Sequence, residues 1–577
     1  MFRFALFLAL GTIASAEETW FRQVSDAKTD THVEVTVLFS KPAPRGYLPV
    51  HVRIANHLEG DRSAHLAFDS SAGVTMKSEF DFEAPGEKTV DHDILVPLAT
   101  QTSTSSYTGI TINAELTGSF GPSSGSLSYP LDDHQPAVLL SEKLFIPNAS
   151  KLDAEANTKF SGGRRACEFA AKFDPRSLPG DWRAWSGYDC VMMTDGDWTA
   201  ALPGARNALL AWVRLGGHLV IFSETNITTG LGLPQDTSFG TITFKPITSS
   251  LALDPPATLA LASSTFSSVP AHQSLREDYS GAWPLQTYFG GRSFNYALFI
   301  IVLVAFGVMV GPVNLFVFAK SGRRHRLFIT TPLISLAASL LLIALILFQD
   351  GFGGRGMRAV LMEVRPDNDE NAAYIHQEQF SRTGVLTGGR FKLDENVSLS
   401  PVPIADSRWA RLTNTVSYYS SRSQANYSLN PSDGKQAAGG DWFQSRSEQG
   451  HQLDAVVPTR GRLELATSAG EPELLSTFEF PLETVFYLDS ANQWWRAEKV
   501  QPGVRFKPVA VASSMVDPVI NVEKSRFANR HRQALDRVAK RPSAFLAIAS
   551  AAPGIATYPG IKWKETHTVV TGPVVKP

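Results

Sequence analysis

The chain has 577 residues, with 53 lysines and arginines against 55 aspartates and glutamates, a near balance that offers no electrostatic footprint for nucleic acid. Cys167 and Cys190 are the only cysteines, which excludes a disulfide-built scaffold and a multi-cysteine zinc site but allows one bridge. A chain this long can hold three or four domains, each with its own core.

Residues 1–16 read as an export signal. Arg3 sits in a short n-region, an apolar stretch follows over 4–13, and Ala14, Ser15 and Ala16 precede Glu17 as a small-residue cleavage site. Residues 17–136 read as an exported β-sandwich, because short alternating runs such as HVEVTVLFS (32–40) and LPVHVRIAN (48–56) are punctuated by Pro, Gly and Asn. His51 and Arg53 are expected on the solvent side of their strand, opposite Val50, Val52 and Ile54. His32, His51, His57 and His65 fall at no metal-ligand spacing, and no metal or other cofactor is expected.

The pattern changes over residues 137–293. AVLLSEK (137–143), ACEFAAKF (166–173), YDCVMMTD (188–195) and HLVIFSE (218–224) are nearly all-apolar strand candidates, and 202–215 reads as a helix stopped by Gly216 and Gly217. Such strands alternating with helices predict a parallel sheet covered on both faces. The stretch YDCVMMTDGDWTAALPGARNALLAWVRLGGHLVIF resembles the core of class I glutamine amidotransferase-like domains, which implies a flavodoxin-like α/β fold. Active members of that family carry a nucleophilic cysteine on a tight turn after a strand. Here no cysteine follows residue 190, and Cys190 lies within its strand, so the resemblance implies the fold without the chemistry. Cys167 and Cys190 are expected to be free thiols, since neighbouring mid-strand positions seldom offer converging Cβ vectors.

Residues 294–318 and 327–348 contain no charged side chain, and each can cross a hydrocarbon core of roughly 30 Å. Between them, residues 319–326 carry Lys320, Arg323, Arg324 and Arg326, which places that loop in the cytoplasm by the positive-inside rule. The two polar parts are then expected on the opposite side. Gly307 and Gly311 form a small-residue pair suited to close helix packing, most simply against the other arm. Pro312 is expected to kink or open the first helix, with Asn314 answering a freed carbonyl. Trp283, Tyr288 and Tyr296 fall where an interfacial aromatic belt would lie.

Residues 349–577 read as a second exported β-rich domain. Within it, 381–450 is rich in Ser, Asn, Gly and Gln and reads as long loops, and 521–541 reads as one basic helix. The order of β-domain, amidotransferase-like domain, membrane hairpin with Gly311, Pro312 and Asn314, and β-rich part resembles a group of large bacterial envelope membrane proteins. That resemblance implies an inner-membrane setting with periplasmic domains, but no reaction.

Ligands in open α/β sheets bind outside the carboxyl ends of the strands. Asp195, Asp197, Ser223 and Glu224 are therefore the candidate ligand-binding residues, although carboxylates there also cap helices. No catalytic residue is assigned. The leading expectation is a catalytically inactive membrane-anchored protein whose exported domains bind an envelope protein partner. The alternatives are an accessory subunit of an ABC-type or export complex, and a hydrolase or transferase using the strand-end carboxylates.

Overall fold

The computed structural model describes residues 18–100, 109–131, 134–160, 168–224, 230–263, 269–279, 283–290, 296–318, 322, 324–367, 370–404, 425–467 and 471–576. The export-signal reading, Cys167, Lys320 and Arg323 lie outside them.

The N-terminal part is all β, with strands β1 (Glu18–Asp26), β2 (Thr31–Val37), β3 (Tyr47–Asn56), β4 (Arg62–Ser71), β5 (Thr75–Ala84), β6 (Lys88–Pro97), β7 (Gly109–Gly118) and β8 (Ser123–Pro130). One sheet runs β1-β2-β3-β6, and β5, β4, β7 and β8 belong to a second. Alternation makes the core: Val33, Val35, Val50, Val52 and Ile54 point in from one sheet, Leu66, Phe68, Ile110 and Ile112 from the other, and Arg53 faces solvent as expected.

Five parallel strands follow: β9 (Val138–Ser141), β10 (Ala170–Phe173), β11 (Cys190–Thr194), β12 (His218–Ser223) and β13 (Thr241–Pro246), in the order β10-β9-β11-β12-β13. Helix α1 (Glu142–Lys159) joins the first two, and α2 (Asp195–Ala200) and α3 (Pro203–Arg214) lie between β11 and β12. The expected helix and parallel strands are thus present. Two 3-10 turns, Pro175–Ser177 and Trp182–Trp185, take the place of a helix between β10 and β11.

The C-terminal part contributes β14 (Gly354–Asp367), β15 (Glu370–Thr383), β16 (Phe391–Asp394), β17 (Val397–Val402), β18 (Asn426–Ser432), β19 (Lys435–Gly440) and β20 (Glu448–Pro458). It continues with β21 (Leu463–Thr467), β22 (Glu473–Ser476), β23 (Leu482–Leu488), β24 (Trp494–Val500), β25 (Arg505–Phe506), β26 (Val509–Val511), β27 (Ala544–Ala549) and β28 (Ile561–Val575). The main path of its large sheet is β17-β20-β15-β14-β28-β27-β23-β24-β26. Strands β21, β22 and β25 attach to that sheet through β28, whereas β16, β18 and β19 cross the expected domain boundary. Asn426, Tyr427 and Ser428 of β18 pair in parallel with Thr75, Met76 and Lys77 of β5, extending the N-terminal sheet to the order β16-β19-β18-β5-β4-β7-β8.

Two sequence expectations are corrected here. Apart from 405–424, which lie outside the described residues, the 381–450 stretch read as loops carries the end of β15, β16 to β19 and the start of β20, because pairing partners elsewhere override its polar composition. The single helix read over 521–541 is two, Ser513–Lys524 and Asn529–Val538, broken where the backbone N–H of Ala528 turns to the buried Glu378 carboxylate at 2.9 Å. Its basic residues are satisfied internally: Lys524 by Asp536, Arg526 by Glu565, Lys540 by Asp517, and Arg537 by the Gly240 carbonyl.

The hairpin comprises an α-helix at Tyr296–Val308, a π-helix at Met309–Phe318 and an α-helix at Leu327–Asp350, whose apolar side chains face outward. Two spans, Ile300–Phe318 and Arg324–Leu345, are long and apolar enough to cross a membrane. Pro312 lies in the π segment, where its missing N–H opens the regular ladder. Asn314 does not answer a carbonyl of its own helix. Its Nδ2 donates to Thr331 Oγ1 at 2.8 Å, and Thr330 Oγ1 donates to its Oδ1 at 2.6 Å, so it clamps the arms together. Gly307 and Gly311 are not where the arms touch, since a Cβ on either meets nothing within 4 Å. Trp283 is no belt residue either, being fully buried in the polar body, whereas Tyr288 is exposed.

Candidate functional site

The carboxyl ends of the parallel strands bring the predicted residues together only in part. Strand order reverses at β9, whose neighbours β10 and β11 follow it in the chain on opposite sides, so the switch-point crevice opens beside Ser141 and Thr194. Thr194 caps α2: its Oγ1 accepts from the Asp197 N–H at 3.1 Å, while Asp197 Oδ2 accepts from the Thr194 N–H at 3.1 Å. Asp197 is consequently 1% exposed, and its other oxygen faces Lys143 Nζ at 3.3 Å. Asp195 Oδ2 accepts from Ser223 Oγ at 2.6 Å, and Glu224 points to solvent. This arrangement ties strand ends to a helix start and leaves no pair of open carboxylates for acid–base work.

Sequence reasoning missed the histidine next to Cys190. Parallel register sets His218 directly opposite, with Nδ1 at 3.9 Å from Sγ. The pair has the residue types of a nucleophile and base but not the chemistry. Burial, then the Asp189 charge, pushes the Cys190 thiol well up, away from the thiolate. Burial, then Arg537, lowers His218 to about 4. Cys190 is a free, buried thiol that packs as a small hydrophobe.

Among the described residues, a group of buried titratable side chains lies where the parts meet, and no local spacing announces it. His376 on β15 is 2.6 Å through Nδ1 from Asp454 Oδ1 on the paired strand β20. His531, on the helix Asn529–Val538, is 2.5 Å through Nδ1 from Glu378 Oε1. The two rings stack at 5.0 Å between centroids, tilted by 30°, and Phe239 of the α/β part packs on the other ring contact of His376 at 5.0 Å. Glu378 also accepts from Trp283 Nε1 at 2.8 Å, from the segment that leads into the apolar hairpin. Burial would raise the Asp454 carboxyl, but the His376 hydrogen bond and the charges of His376, His531 and Arg45 hold it down at about 2. Burial lowers His376 against the pull of Asp454. His376, Asp454 and His531 each offer one donor atom, all within 4.8 Å of one another, so they form a set that a metal ion could use.

No protein-family model matches the chain, and no curated protein matches it. Among solved structures, CsgH of R. palustris is similar over 16% of this chain and 90% of its own length, at 17% identity and a TM-score of 0.11. A Paenibacillus sp. cycloisomaltooligosaccharide glucanotransferase complexed with cycloisomaltoheptaose is similar over 32% of this chain at 11% identity and a TM-score of 0.17. A Bacteroides uniformis beta-glucuronidase is similar over 36% at 7% identity and a TM-score of 0.15. The chain spans 27% and 24% of the lengths of those two enzymes. None of these likenesses identifies a family.

Proposed function

We propose that the chain is a membrane-anchored binding or assembly protein of the bacterial envelope, whose polar parts stand together on the periplasmic side and engage a protein partner there. One observation carries the reading: β18, which follows the hairpin, pairs with β5, which precedes it. Strands on opposite sides of a bilayer cannot share a sheet, which supports both parts emerging on one face, and the basic loop over 319–326 supports a cytoplasmic setting for the other face. The capped strand-end carboxylates favour binding over hydrolysis or group transfer. The strand order β10-β9-β11-β12-β13 supports the flavodoxin-like reading of the α/β part.

The test uses single cysteines at Lys88, His325 and Gln501 in a chain with Cys167→Ala and Cys190→Ala. An impermeant thiol reagent applied to spheroplasts should label positions 88 and 501 and spare 325 until the membrane is opened. Labelling of 325 alone in sealed cells would overturn the orientation, and labelling of 88 without 501 would overturn the shared face. Crosslinking from position 88 or 501 to another envelope protein would support the assembly role, and a chain that crosslinks to nothing in intact cells would count against it.

A further inference from the structure

We propose that His376, Asp454 and His531 bind one divalent first-row transition metal, with zinc the first candidate, and that the ion pins the helix Asn529–Val538 to the sheet at the junction of the parts. Two imidazoles and a carboxylate are a common donor set for such ions, and the three donor atoms already lie within 4.8 Å of one another. Tetrahedral zinc with bonds of about 2.1 Å holds its ligand atoms about 3.4 Å apart, so the side chains need to move by about an ångström.

The independent observation is at His531. Its Nδ1 is committed to Glu378, which is how a carboxylate orients a metal-bound histidine, and its Nε2 has no hydrogen-bond partner although the residue is 1% exposed. A buried ring nitrogen without a partner is costly unless something occupies it. On the other side the ion takes the place of the proton held between His376 Nδ1 and Asp454 Oδ1, and the neutral ring keeps that proton by shifting to the tautomer protonated on Nε2. His376 Nε2 is likewise buried without a partner, so the hydrogen-bond scheme as it stands leaves this ring incompletely satisfied too. Charge is accommodated: Arg45 and Arg530 act on Asp454 and His376 from nearby, while Asp189, Asp278, Glu378 and Asp454 supply negative charge around the same junction. Three protein donors leave the fourth tetrahedral position to a water, and the burial of His376 and His531 keeps larger molecules away from it, which suits a structural ion.

The experiment is metal analysis of the full chain in mild detergent, after incubation with zinc chloride and desalting. The wild type should carry about one zinc per chain, and His531→Gln should hold about tenfold less while still melting cooperatively. Should that variant fail to fold, cobalt(II) added to the wild type should give the visible bands of a tetrahedral ion, and chelator should remove them and lower Tm. Zinc below about a tenth per chain in the wild type, with no cobalt bands, would overturn the proposal. Equal zinc uptake by a folded His531→Gln variant would also overturn it, by placing the ion elsewhere.

Discussion

The indole of Trp283 donates to the Glu378 carboxylate at 2.8 Å, although the whole membrane hairpin separates the two residues in the chain. Trp283 is 0% exposed, and Glu378 holds the start of a C-terminal helix and His531 at the same time. The segment that leads into the apolar hairpin is therefore latched to the polar body that follows it in the chain. Trp283→Phe keeps most of the buried ring and removes one charge-assisted bond, so it should cost about 1.5 to 3 kcal/mol. Glu378→Gln should cost about 3 kcal/mol, because an amide cannot accept from all three donors. Thermal unfolding of both singles and the double checks this, with a coupling of about 1 kcal/mol expected. Strict additivity would mean that the bond contributes nothing.

His451 gives the junction a sensitivity to acid. Its Nε2 is 2.9 Å from the Trp442 carbonyl and its Nδ1 is 3.1 Å from the Gln379 amide, an arrangement that suits only the neutral ring with Nδ1 accepting. Burial lowers its pKa to about 4, against the contribution of the Trp442 carbonyl. The unfolded ring takes a proton near pH 6.5 and the folded ring resists until about 4, so stability is full above 6.5 and declines as pH falls through that window. The decline attributable to this group is on the order of 3 kcal/mol. A melting-temperature profile should show it, and His451→Gln, although less stable at neutral pH, should flatten it.

Legibility in the sequence followed the range of the interactions. Alternation of Val50, Val52 and Ile54, the charge-free hairpin and the apolar run holding Cys190 are local patterns, and each was readable. The pairing of Asn426 to Ser428 with β5 was not, because a polar text of Asn, Tyr and Ser becomes a strand only when an edge elsewhere supplies its hydrogen bonds. The helix break at 525–528 has no glycine or proline to announce it and is set by Glu378, far away in the chain. Asp195 and Asp197 sit just past the carboxyl end of β11, but the capping geometry that holds Asp197 depends on Thr194, which reads in the sequence as part of an apolar strand. The histidine cluster draws on β15, β20 and a C-terminal helix, so no spacing rule could assemble it.

Asn314 is the polar clamp of the hairpin. Asn314→Leu should leave insertion intact, since leucine favours the apolar span, but should loosen the arms by about 1 kcal/mol through the loss of both threonine bonds. Cysteine pairs placed across the arms and oxidised in membranes should crosslink less uniformly in this variant. An unchanged crosslinking pattern would mean that apolar packing alone sets the hairpin.

The glycine pair carries the opposite expectation. Because a Cβ at Gly307 or Gly311 meets nothing within 4 Å, leucine at both positions adds bulk only on the outer surface of the first arm. The arms should stay together, with the Asn314 clamp untouched and the melting temperature in detergent that of the parent. What the double variant can lose is contact with a helix from another subunit, since small residues let backbones approach closely where lipid gives no hydrophobic drive. Blue-native electrophoresis reads that directly. A smaller complex at unchanged stability would identify this face as an assembly surface, whereas an unchanged complex would make it lipid-facing and leave partner binding to the polar body.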